Sequence, residues 1–178
     1  MQKKWHWLLL GCGIAVFLAV TVCLLWLFVP RQVNLQTQGL MIHSDGTTEV
    51  TDVQIVGSWK PVLFDDAKQE FTGTIRVAGL PWLNREDVTE NKISFMRDGI
   101  MDASTKLLIG ADFIRQKNSD LLGNLWICTN HKMDGFIMIA TEHGASTVTR
   151  IIVPAKSVED AIALRDAWNI PESELNFQ

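Results

Sequence analysis

The chain has 178 residues, with 16 Lys and Arg against 20 Asp and Glu, which is room for one domain. Lys3 and Lys4 are the only charged residues before Arg31, so residues 31–178 carry 14 basic and 20 acidic side chains, a formal charge of −6. That balance argues against a nucleic-acid binder, which needs clustered cations to neutralise phosphates, and it disfavours a polybasic membrane-surface binder. With 12 Gly and 5 Pro among abundant large apolar residues, collagen-like, mucin-like and disordered classes are excluded.

The first element in chain order is the uncharged run over residues 7–29, WLLLGCGIAVFLAVTVCLLWLFV. At about 1.5 Å per residue a helix of this length exceeds a hydrocarbon core of about 30 Å, so the run predicts a transmembrane helix contacting the lipid bilayer. A cleavable signal peptide has an apolar core of only about 7 to 15 residues and a small-x-small end, whereas this run ends Trp26-Leu27-Phe28-Val29-Pro30. Cys12 follows Leu-Leu-Gly with too short an apolar core before it for a lipoprotein signal. Lys3 and Lys4 outweigh Arg31, which places the N-terminus in the cytoplasm and residues 31–178 outside. Trp5 and Trp7 at one end and Trp26 at the other suit the interfacial aromatic belts. Gly11, Ala15, Ala19 and Cys23 recur every fourth residue, a small-residue ridge on which a second helix packs in a candidate homodimer.

Beyond Pro30, residues 31–46 read as a stalk or a first edge strand, and residues 47–178 as the extracytoplasmic domain. There the apolar period becomes two. Phe71, Gly73, Ile75 and Val77 alternate with Thr72, Thr74 and Arg76, and Val53, Ile55 and Gly57 alternate with Asp52, Gln54 and Val56. Further strands are expected at 61–64, 92–96, 106–109, 124–128, 136–140 and 147–153, with turn chemistry at Asp45-Gly46, Asp65-Asp66, Asp98-Gly99, Asp134-Gly135 and His143-Gly144. The run from Leu125 to Cys128 reads as a strand buried on both faces, with Cys128 as a buried apolar thiol. Residues 111–122 fit neither period and are expected as a long loop or a short helix. A C-terminal helix over 157–169 opens with Ser157 as cap and Asp160 at the capping-box position, and Val158, Ala161, Ile162, Leu164 and Trp168 share one side. Arg165 falls in that arc, its stem along the sheet and its guanidinium toward water or a carboxylate.

The expected fold is mainly β: an N-terminal transmembrane helix, then an antiparallel β-sandwich or small β-barrel of about eight strands, and a C-terminal α-helix. Periodicity does not choose between sandwich and barrel. Cys128 with His131 and His143 is the best metal trio by residue type, but the two histidines belong to turns at opposite ends of one hairpin, and no metal site or cofactor is expected. The acid pairs Asp65-Asp66 and Glu86-Asp87 sit beside turns and read as solvated charges. No nucleophile elbow, Walker loop or dinucleotide fingerprint occurs. Trp82, between the Gly79-to-Pro81 turn and the polar run 84–91, is the candidate interface anchor.

The stretch from Gly57 through Trp59 to Asp66, followed by Phe71-Thr-Gly-Thr-Ile-Arg-Val, resembles a strand-turn-strand pattern in small exported proteins of Gram-positive type, which carry one N-terminal anchor and a strand-rich domain. Trp59 stands where that pattern has Tyr. The resemblance implies placement and a β fold and no activity. The leading expectation is a single-pass, membrane-anchored binding protein without chemistry of its own, whose partner is a cell-envelope or membrane protein. A lipid- or small-molecule-binding barrel is the alternative, and an exported hydrolase without a linear motif the third.

Overall fold

A computed structural model of the chain describes residues 11–23, 29–61, 69–97, 107–118, 120–130 and 132–170. Residues 11–23 form a helix, α1. Its Ile14, Val16, Phe17, Leu18, Val20 and Val22 are all more than half exposed. Among the described residues no helix is long and apolar enough to cross a membrane; residues 7–10 and 24–28 of the expected span lie outside them.

Eight strands follow: β1 (Arg31–Ile42), β2 (Thr48–Pro61), β3 (Gln69–Val77), β4 (Asn91–Arg97), β5 (Leu107–Arg115), β6 (Leu121–Asn130), β7 (Phe136–Glu142) and β8 (Val148–Val153). Each pairs antiparallel with its predecessor, and β1 also pairs with β8, so the sheet closes into a barrel. Closure needs strands long enough to be staggered. β1 meets this: Arg31 to Ile42 pair with β2, while only Leu40, Met41 and Ile42 reach β8. The segment from residue 31 is therefore a barrel strand up to Ile42. A turn follows in which Asp45 Oδ1 accepts from the Thr47 amide at 2.9 Å and Gly46 takes φ +82°.

Alternate residues of every strand point inward. The interior is filled by Met41, Ile55, Phe71, Ile93, Phe95, Leu125, Phe136 and Met138 among others, all under 2% exposed or at that limit. Burying each such side chain contributes about 1.5–3 kcal/mol. Gly57 and Gly73 face each other across β2 and β3, and the tip of the Phe71 ring occupies the space their side chains would take.

The loop over residues 78–90 crosses one mouth of the barrel. Leu80, Trp82 and Leu83 drop from it into the inner core. Asn84 imitates a neighbouring strand there, its Oδ1 accepting from Val77 N at 3.0 Å while its Nδ2 donates to Val77 O. Thr51 Oγ1 accepts from Gly79 N at 3.2 Å and ties the loop to β2.

A second apolar cluster lies outside the barrel, where helix α2 (Val158–Ala167) covers Leu40, Ile42, Ile137 and Ile152 with Ala161, Val158, Leu164 and Trp168. Ser157 caps α2, its side chain accepting from Asp160 N at 3.2 Å. The Asp160 carboxylate reaches back to Lys156 N at 3.0 Å, one residue before the cap. Arg165 lies along the surface and meets Asp166 at 2.8 Å.

Two expectations are corrected. Residues 111–122 are neither loop nor helix: β5 runs on to Arg115, a tight turn follows, and β6 begins at Leu121. Here the usual alternation is inverted, with polar Asp112 turned inward and Phe113 outward, so the period-two signal cancels. The strand from Leu125 to Cys128 is also not buried on both faces, because Trp126 is 52% exposed and Cys128 half-buried. The strand expected at 61–64 and the Asp65-Asp66 and Asp98-Gly99 turns lie outside the described residues, apart from Pro61 at the end of β2.

Candidate interaction surface

Several residues singled out by the sequence come to lie apart. Gly11, Ala15, Ala19 and Cys23 all fall within α1 and are exposed. Trp82 is 8% exposed inside the core cluster, so its indole plugs the barrel mouth and is not presented at the surface. Cys128 and His143 sit toward opposite ends of the β6–β7 hairpin, and His131 lies outside the described residues. Among the described residues no group of three His, Cys, Asp or Glu is placed to hold a metal. The Glu86-Asp87 pair is split by Arg85, whose Nε and Nη2 each bond Asp87 at 3.0 Å. That hydrogen bonding, with the nearby positive charge, holds the Asp87 carboxyl below the usual range.

Where the β3–β4 and β4–β5 ladders stop short of the plugged mouth, side chains bridge the strands. Asn91, buried at 2% exposure, accepts from Ile75 N at 3.0 Å and donates to Asp112 Oδ2 at 3.2 Å. The same oxygen accepts from Lys92 N at 3.2 Å. Desolvation nonetheless pushes the Asp112 carboxyl above the usual carboxylate range, outweighing its bonds to Asn91, Lys92 and Phe113. A carboxyl that binds its proton more tightly folded than unfolded loses stability as pH rises through the ordinary carboxylate range toward the raised value. Asp112→Asn keeps the shape and one acceptor. We expect it to melt higher than the parent at neutral pH, with the gap closing in acid, where Asp112 is protonated in both states. Melting curves across pH check this, and a gap that does not change with pH would count against the desolvated acid.

Grooves open at several places on the described surface. One, between β1 and α2, is lined by Thr37, Gln38, Ala155, Asp160 and Leu164. Another flanks the upper edge of β3 beside Arg85, Glu86 and Glu90.

The outer wall of β4 to β8 is different in kind. Ser94, Ala111, Trp126, Ile139 and Arg150 stand side by side across five strands. Phe113, one pleat along β5, is 62% exposed, and Trp126 is 52% exposed. Below this row the apolar wall continues through Cys128, Ile137 and Ile152, which α2 covers. The exposed aromatics thus extend a wall whose other half already packs against a helix. A sequence signal for Trp126 did exist: with Leu125 and Ile127 inward, strand parity turns Trp126 out. Phe113 had none, since its strand was hidden by Asp112.

Comparison of the chain with protein-family models, with curated proteins and with solved structures found no match.

Proposed function

We propose that this chain is a single-pass, membrane-anchored barrel that acts by binding, with a cytoplasmic N-terminus and the barrel outside the membrane. The observation that carries the anchor is α1: its large apolar side chains stand exposed within an uncharged run over 7–29, and lipid is the solvent in which such a surface is stable. Binding in place of chemistry is supported by the outer wall of β4 to β8. Soluble domains seldom leave a Trp and a Phe together on an apolar surface without a contact to make. Anchoring holds that wall at high effective concentration beside whatever lies at the membrane, so a weak contact suffices. A resident partner of the membrane or cell envelope fits this arrangement.

The test has two parts. The full chain is expected to stay with the membrane through an alkaline carbonate wash. A protease confined to the outside of intact cells is expected to reach the barrel. Extraction by the wash would overturn the anchor, and protection from the outside protease would overturn the topology.

A further inference from the structure

We infer that the outer wall of β4 to β8 seats the barrel on an anionic lipid surface, with Trp126 and Phe113 in the headgroup layer; the inference rests on the membrane anchor proposed above. The chain as a whole is acidic, but its charges are sorted by the fold. Among the described residues of β4 to β8, Lys92 and Arg115 are exposed and Arg150 is half-buried on the outer wall, while the one exposed acid, Glu142, stands at the far end of β7. The opposite wall mixes signs, with Asp52, Lys60, Glu70 and Arg76 outward on β2 and β3. An apolar strip centred on an exposed Trp and flanked by cations is complementary to a bilayer interface, where the indole sits at headgroup depth and cations meet lipid phosphates.

Three further points favour lipid over a protein partner. Phe113 and Trp126 project, 62% and 52% exposed, from a strand wall to which a deformable layer adapts without a matching pocket. Pairing of two copies through this wall would bring Arg150 and Lys92 of each copy toward cations of the other, which opposes self-association. Finally, β1 begins at Arg31, two residues after the apolar run ends at Val29, so the anchor keeps the barrel wall within reach of the headgroups.

The experiment places the full chain in vesicles of phosphatidylcholine alone, or of equal parts phosphatidylcholine and phosphatidylglycerol, with bromine on the lipid chains just below the headgroup. The tryptophan emission quenched in the parent but not in Trp126→Phe belongs to Trp126. We expect that difference in the anionic vesicles and little of it in phosphatidylcholine alone. It should weaken with added salt and fall in Lys92→Gln/Arg150→Gln by about fivefold in docking constant per cation removed. An unchanged melting temperature of the double variant shows that the fold is retained.

Unquenched Trp126 in anionic vesicles, in a chain that resists carbonate extraction, would overturn the docking and leave the anchor standing. A chain extracted by carbonate would fail the anchor itself. Unquenched Trp126 combined with salt-sensitive, Lys92- and Arg150-dependent crosslinking to an acidic protein in intact cells would overturn the lipid assignment and make the wall a protein interface.

Discussion

Trp82→Ala is expected to lower stability by about 3–5 kcal/mol, the range for truncating a fully packed aromatic residue. The ring is 8% exposed and belongs to the inner core with Leu80 and Leu83. It also lies against the β6 backbone at Gly123, where an added Cβ would come within 2.9 Å of the ring carbon Cζ3. Removing it opens a cavity at the barrel mouth, and Asn84 and Thr51 fix the loop on either side, so the loop cannot easily collapse into the space. Total stability of a domain is about 5–15 kcal/mol, so this one truncation removes a large part of it. The melting temperature should fall by roughly 10 °C for a domain of this size. Trp126→Ala, at an exposed position, should change stability by less than about 0.5 kcal/mol. Thermal and urea unfolding of the full chain in detergent distinguish the two tryptophans. A Trp82→Ala protein that melts like the parent would refute the plug.

The second large effect is expected at the glycine pair. A side chain at Gly73 would meet Gly57 Cα at 2.5 Å, the Phe71 Cζ atom at 2.8 Å and the Val56 carbonyl oxygen. Two of these are backbone atoms of the facing strand, which can move only by breaking the β2–β3 ladder. Gly73→Val is therefore expected to cost about 3 kcal/mol, the upper part of the usual overpacking range, although Val favours strands at an ordinary position. Gly57→Ala should act in the same direction, since its Cβ would lie 2.7 Å from Gly73 Cα and 2.8 Å from the same ring atom. Loss of the cooperative unfolding transition, or a lowered midpoint with an unchanged urea slope, is the readout. A Gly73→Val protein as stable as the parent would mean that the Phe71 ring does not fill that space.

Much of the wall pattern was legible because one residue inward and one outward is a local rule. Phe71, Gly73, Ile75 and Val77 are the buried positions of β3, as their alternation implies. Ser157 caps the last helix and the apolar side of α2 meets the sheet. The rule failed where chemistry and direction part company. Asp112 faces inward because Asn91 and Lys92 N complete its bonding, and Phe113 faces outward onto an open wall; reversed polarity at two adjacent positions looks like no strand at all. Trp82 is buried, against the expectation of an interface anchor, for a related reason. A Trp between a turn and a polar run has no period, and only the mouth of a closed barrel supplied the space that buries it.

The uncharged run over 7–29, the acidic balance of the rest, most strands and the C-terminal helix are readable from residue order, because each depends on composition or on neighbours within a few residues. Three-dimensional packing sets the closure of β1 onto β8, whose partners Leu40 and Ile152 are far apart in sequence and meet only through the accumulated stagger of eight strands. It also decides which charges share a surface. A net charge sums over the whole chain, whereas a docking wall is a sum over one face. Barrel closure gathers Lys92, Arg150, Phe113 and Trp126 onto that face while Asp52 and Glu70 point outward from the other wall.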